Sequence, residues 1–340
     1  MLDFTCDYNR GAVPEIINRL AEINLDAQGC YGEDEICDTA REKIRKEIGL
    51  PDAQIEFLVG GTQTNQVVID SMLKPYEGVI ACDTGHVNVH EAGAIEFVGH
   101  KVLTVPNDNG KVRAEDVEKL IKAHRADASM EHMVFPGMVY ISHPSELGTL
   151  YTKAELKALH EVCEKYDVPL YLDGARLGYG LACDTDVTLS DIAEYTDVFY
   201  IGGTKVGAFF GEAVVFTRNN RPLHFITHKK QHGALLAKGW LLGVQFDTLF
   251  TNGLYYRVGE RAMNMARKLT KVFADKGYEF YIKSPSNQIY LVVDNEKMNE
   301  MKKFVNFSFW ENIDENHTAI RFVTSWATKE EDIDELAKLL

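Results

Sequence analysis

Closely spaced cysteine pairs are missing from this chain. Its six cysteines, at positions 6, 30, 37, 82, 163 and 183, form no Cys-x-x-Cys. That removes zinc-knuckle and thioredoxin-type readings and fits reduced thiols in a cytoplasmic protein. His90-Glu91 opens a His-Glu-x-x-His pattern, but no second histidine follows at the required spacing, so no metal site is expected. The glycine fingerprint of dinucleotide folds and the Gly-x-x-x-x-Gly-Lys-Ser/Thr phosphate loop are absent as well. Positive charge is scarce: 36 Lys and Arg stand against 51 Asp and Glu, a net charge of −15. This balance argues against general nucleic-acid binding and against docking on an anionic membrane. No apolar run is long enough to cross a bilayer, and Met1-Leu2-Asp3 opens without the basic segment of a signal peptide. Repeats, low-complexity tracts and Pro/Ser-rich linkers are also lacking.

What remains is 340 residues of ordinary globular composition, enough for a large domain and a smaller second one. Apolar, β-branched runs alternate with helical patterns. The spacing predicts a strand over 54–59, a helix over about 62–73, strands over 78–82 and within 133–142, and strands over 168–172 and 198–201. Thr152 and Glu155 form a capping box ahead of a helix whose buried face is Leu156, Leu159, Cys163 and Tyr166. Such alternation predicts an α/β fold with a mostly parallel sheet between helices, its ligands gathered at the carboxyl ends of the strands. A long helix is predicted over about 257–275, ended by Gly277. Strands over 288–293 and 319–324 come next, then a last helix capped by Thr328 and Glu331 with Ile333, Leu336 and Leu340 buried. This tail reads as a small α+β domain over 251–340, with residues 1–250 forming the N-terminal segment and the large domain.

Four segments carry chemistry. The strand Tyr171-Leu172 delivers Asp173 into the ligand zone, where a buried carboxylate needs a cation or hydrogen bonds. A protonated pyridine nitrogen is one such cation; an N-cap or a pair with Arg176 is the plainer reading. Phe199-Tyr200-Ile201 ends in Gly202-Gly203-Thr204-Lys205, and a lysine desolvated there has a lowered pKa and a free amine for imine formation. A lone lysine reads more readily as a surface residue in a turn. Gly60-Gly61-Thr62-Gln63-Thr64 joins strand to helix, so backbone amides and hydroxyls can take a phosphate; a tight turn with Thr62 as N-cap serves as well. His86 follows a strand and can stack on a flat ring or move protons. Phosphate cradle, ring stacker, acid and imine lysine occur in one chain order, which is the set of parts a pyridoxal phosphate site requires.

With these motifs in place, the sequence resembles the threonine aldolase branch of the β-eliminating lyases, in the aspartate-aminotransferase fold group. The likeness runs from Asp7 to the last helix. It rests on Tyr31-Gly32-Glu33-Asp34, Gly61-Thr62, His86 with Glu91-Ala92-Gly93-Ala94, Asp173-Gly174-Ala175-Arg176, Thr204-Lys205 and Ile320-Arg321-Phe322-Val323-Thr324. The resemblance implies pyridoxal phosphate held as an imine on Lys205, with Asp173 on the pyridine nitrogen and His86 on the ring. It implies Gly61 and Thr62 on the phosphate, Thr204 among the cofactor contacts, Arg176 beside the cofactor near its phenolic oxygen or the substrate carboxylate, and Arg321 clamping the substrate carboxylate, a task that suits a planar guanidinium. It further implies a homotetramer with shared sites, in which Lys238 reaches a neighbour's phosphate from the basic stretch of Lys229, Lys230 and His232, and Tyr31 lies near the site. Where the family usually reads Leu-Arg-Ser-Asp-Thr, this chain has Phe4-Thr5-Cys6-Asp7-Tyr8, placing Cys6 and Asp7 near the substrate. Around the family's second site histidine it reads Ser142-His143-Pro144-Ser145-Glu146.

The implied reaction is retro-aldol cleavage of L-threonine or L-allo-threonine to glycine and acetaldehyde. His86, His143 or a water they position takes the hydroxyl proton. Elimination or transamination on the same cofactor is the near alternative. A cofactor-sensing regulator or a nicotinamide dehydrogenase is disfavoured, because a DNA-binding segment and the glycine fingerprint are both missing.

Overall fold

The computed structural model describes residues 1–340. Seven strands form the main sheet, in the spatial order Gln54–Leu58, Glu212–Phe216, Val198–Gly202, Leu170–Asp173, Phe135–Ser142, Glu77–Cys82 and Val102–Val105. Only Glu212–Phe216 runs against its two neighbours; the other pairings in the sheet are parallel. Successive residues of each strand feed opposite cores. Ile80, Val139, Ile141, Leu170, Leu172, Phe199 and Ile201 enter one apolar cluster, while Val79, Ala81, Met138, Tyr140, Tyr171, Val198 and Tyr200 enter the other. A sheet covered on both faces has no solvent side, which is why these strands read as continuous apolar runs.

The predicted helix behind the capping box spans Lys153–Tyr166, and both reciprocal bonds of the box form between Thr152 and Glu155. Its expected face is buried. The helix after the glycine pair starts one residue earlier than predicted, at Gly61, with Gly60 at the cap position and Thr62 exposed in the first turn.

A second sheet, in the order Ser308–Asn312, His317–Val323, Gln288–Asp294 and Glu279–Ile282, is wholly antiparallel. Its core differs from the sequence expectation at both chain ends. Leu2–Asp3 pairs in parallel with Val305–Asn306, and Leu2 and Phe4 join the small domain's apolar cluster. The N-terminal segment therefore packs with the tail and not with the large domain alone. The helix Leu254–Asp275 straddles the division: Leu254 to Ala266 face the large core, whereas Leu269 and Phe273 face the small one. The last helix, Glu330–Leu339, has Lys329 at its cap position and no side-chain cap. Thr328 is unavailable for that role because its hydroxyl accepts the Ser325 N–H at 2.8 Å in the preceding turn. Ile333 and Leu336 are buried as expected, and Leu340 is half-buried beyond the helix. No helix is long and apolar enough to cross a membrane.

The capping box satisfies amides that the helix itself cannot, so Thr152→Ala should lower stability by about 1 kcal/mol, read as a shifted urea midpoint with an unchanged slope.

Candidate active site

The six strands that run in one direction end at the same edge of the large sheet, and the antiparallel strand delivers its first residue, Glu212, to that edge. The pocket there is lined by residues of those ends and the turns after them, among them Gly61, His86, Asp173, Arg176, Thr204 and Lys205. Six residues singled out from the sequence thus converge in one place.

Asp173 is the most constrained group. It is buried and accepts four hydrogen bonds: Tyr200 hydroxyl at 2.5 Å, Ala175 N–H at 3.0 Å, Tyr140 hydroxyl at 2.7 Å and Asn65 Nδ2 at 3.0 Å. Burial pushes its pKa up, but the His86 charge and these donors outweigh burial, and the carboxyl lies below its ordinary value. Asn65 is itself fixed by donating to Glu91 at 2.8 Å and accepting from Tyr171 at 2.7 Å. His86 Nδ1 meets the same Glu91 oxygen at 2.9 Å. Burial pulls the imidazole pKa down, yet the Glu91 bond and Asp173 charge carry it above its usual value. Lys205 moves the other way: burial, reinforced by Arg176, lowers its pKa and favours the neutral amine.

Arg176 reaches the pocket wall with its orientation set from behind. Its Nε and a terminal nitrogen bind the two oxygens of Asp7 at 2.7 and 3.1 Å, and Asn287 donates to Asp7 at 2.9 Å. Asp7 is fully buried, and Arg176 and Lys205 hold its pKa down against the burial that would raise it. The sequence placed Asp7 against the substrate; the structure places it behind Arg176, because a bare carboxylate at that depth needs the guanidinium.

His143 is also displaced from its expected role. It is buried behind the pocket wall, its Nδ1 accepting the Tyr151 N–H at 3.3 Å and its Nε2 without a partner. Burial, then the Lys111 charge, lower its pKa to about 4. Glu146, three residues on, lines the pocket in its stead. Arg321 is half-buried on the small domain, donating to Gln288 at 3.2 Å with its Nε unpartnered. Trp310 lies between Arg321, 5.6 Å from the ring centre, and His90, 6.3 Å between centres, so this strand faces the His86 side of the large domain. Cys6 is half-buried next to Asp7, and Thr62 is exposed next to Gly61. Tyr31 and Lys238 are exposed, and Tyr31 lines a separate cleft.

Sequence reasoning missed two carboxyls of the wall. Glu212 accepts the Gly203 N–H at 3.1 Å and the Thr204 hydroxyl at 2.8 Å, and burial pushes it up to about 8. Its signal was an acidic residue opening the apolar run Glu212-Ala213-Val214-Val215-Phe216. Glu146 stands at the end of the Ser142-His143-Pro144-Ser145-Glu146 stretch, where the histidine draws attention first.

The donor set fits pyridoxal phosphate. Asp173 offers an ionised, buried acceptor for a pyridinium; two of its four donors are hydroxyls, which rotate to admit another N–H. Lys205 offers a desolvated amine in the same pocket. Gly61 opens a twelve-residue helix whose first amides have no intrahelical partner, and a Cβ at Gly61 would sit 3.1 Å from the Tyr200 hydroxyl, in the space a cofactor needs.

Fold and pocket together define a pyridoxal-phosphate enzyme of the aspartate-aminotransferase fold group. Comparison with known proteins gives the family: residues 3–293 match the model described as beta-eliminating lyase, and the chain belongs to that family. A Leishmania major structure described as a threonine aldolase superposes with a TM-score of 0.96 at 38 % identity, covering 100 % of this chain and 98 % of that one. Low specificity L-threonine aldolases from Pseudomonas aeruginosa and a Pseudomonas species are 30 % and 29 % identical over 98 % of this chain, covering 96 % and 95 % of their own lengths.

Two outcomes follow from the buried charges. Asp7→Ala leaves Arg176 uncompensated and should cost roughly 3–5 kcal/mol of stability, measured by denaturant unfolding. His143, whose folded pKa of about 4 lies below the unfolded value near 6.5, gains a proton on unfolding. Its contribution is therefore complete above about pH 6.5 and is lost as pH falls towards 4. His143→Gln should flatten the fall in thermal midpoint across that window.

Proposed function

We propose that the protein is a pyridoxal-phosphate aldolase that cleaves L-threonine or L-allo-threonine to glycine and acetaldehyde by breaking Cα–Cβ. The observation that carries this reading is the convergence of Lys205, Asp173, His86 and Arg176 in one pocket, in a chain close to an aldolase structure along its whole length. The bound cofactor supplies the sink for the electrons of the breaking bond.

The chain's own residues do the rest. Lys205, its pKa lowered by burial, is the covalent anchor. Asp173 would hold the pyridine nitrogen of the bound cofactor protonated, and His86, its orientation fixed by Glu91, would lie against the ring. Gly61 and Thr62 take the phosphate, joined by Lys238 of a neighbouring subunit, whose exposed position outside its own pocket supports that arrangement, and Thr204 lies at the cofactor beside Lys205. Arg321, aided by Arg176, would clamp the substrate carboxylate and so orient the bonds at Cα. Cys6 and Tyr31 border the substrate. The enzyme works in the cytoplasm as a homotetramer.

Purified protein supplemented with cofactor should release glycine and acetaldehyde from at least one of the two isomers. Lys205→Ala should lose both the visible cofactor band and this cleavage. Absence of activity on both isomers would reject the assignment; pyruvate from serine without aldehyde would point to elimination, and a keto-acid-dependent half-reaction to transamination.

A further inference from the structure

Retro-aldol cleavage requires a group that accepts the hydroxyl proton of the substrate. The two histidines suggested by the sequence are poorly placed for it. His143 lies behind the wall, with Nδ1 bound to the backbone of Tyr151. His86 has Nδ1 engaged by Glu91 at 2.9 Å, and in the aldolase reading its ring is committed to the cofactor.

A third group lines the same pocket. Glu146 follows the turn that carries Ser142 at the end of its strand. Its Oε1 accepts the His86 N–H at 3.0 Å and the Ser142 hydroxyl at 2.5 Å, which fixes the carboxyl beside the backbone of His86. No other side chain bonds to its second oxygen. Its carbonyl accepts the Tyr290 hydroxyl at 2.5 Å, and Tyr290 stands opposite Arg321 in the small sheet. Glu146 is thereby held between the His86 side of the pocket and the strand that presents the carboxylate clamp, where the side chain of a bound β-hydroxy amino acid must lie.

Building on the aldolase reading, we propose that Glu146 is the catalytic base that takes the proton from the substrate's β-hydroxyl as Cα–Cβ breaks. The O–H proton passes to the carboxylate, and the O–H electron pair becomes the second C–O bond of the departing aldehyde. The Cα–Cβ pair stays at Cα. Glu146 then gives up its proton, directly or after exchange with water, and Cα gains one to complete glycine. Burial raises the carboxyl above its ordinary value, against the opposing Ser142 bond and His86 charge, which brings a carboxylate nearer the strength a base needs. The titratable groups facing it are His86, Asp173, Tyr140, Cys82, Tyr151 and Tyr290. Of these, the His86 charge opposes the rise.

The test is Glu146→Gln in the holoenzyme. The variant should bind cofactor with an unchanged visible spectrum. It should exchange the α-proton of glycine with deuterated solvent near the wild-type rate, since that exchange needs no hydroxyl base. Cleavage of both threonine isomers should fall by about 100-fold or more. Wild-type kcat/KM should rise with pH along a limb above the usual carboxylate range, and the variant should lack that limb. In cofactor-free protein a protonated-carboxyl infrared band should fade along a similar pH range and be missing from the variant. Cleavage within tenfold of wild type with the limb retained overturns the proposal. So does parallel loss of cofactor binding, exchange and cleavage, which marks a structural role. If the wild type exchanges glycine yet cleaves neither isomer, the aldolase reading itself fails and takes this role with it.

Discussion

A carboxylate that cannot be moved is the constraint around which the large domain is arranged. Asp173 ends a buried strand and takes four hydrogen bonds from residues on three neighbouring segments and its own turn. Each donor is fixed in turn: Tyr140 and Tyr200 by adjacent strands, Asn65 by Glu91 and Tyr171. An ionised group so deep is tolerated only when its lone pairs are satisfied. The network that satisfies them also places His86 and defines the floor of the pocket.

Around that fixed charge, the other titratable groups are pushed apart. Asp173 and Asp7 are held down, Glu212 and Glu146 are pushed up, and Lys205 is pulled down. Three of these buried carboxyls, Asp173, Glu212 and Glu146, line one pocket with their pKa values moved in opposite directions, and since all three are buried the difference comes from their partners. Divergence of this kind lets a single fold present a permanent anion, a proton carrier and a neutral amine at one pH.

Much of this was legible in the sequence because its cause is local. The capping box at Thr152 needs only its own four residues, and the apolar strands with Gly60-Gly61, Asp173 and Lys205 at their ends announce a parallel sheet and its ligand edge. What escaped depends on long-range packing. That Leu2 and Phe4 complete the small domain's core is invisible until Val305 is brought beside them. His143 and Glu146 differ by three positions, and only the path of the turn decides which enters the pocket. Asp7 was read as a substrate contact because its partner lies 169 residues away.

That long-range clamp has a bearing on synthesis. Arg176 is aligned by Asp7, near the start of the chain, and Asp7 is steadied by Asn287, 280 residues later. As the polypeptide leaves the ribosome, the main sheet can be complete while this arginine still lacks its full mooring. The alignment of Arg176 is therefore settled only once the segment around Asn287 has been made and has docked against the first residues of the chain.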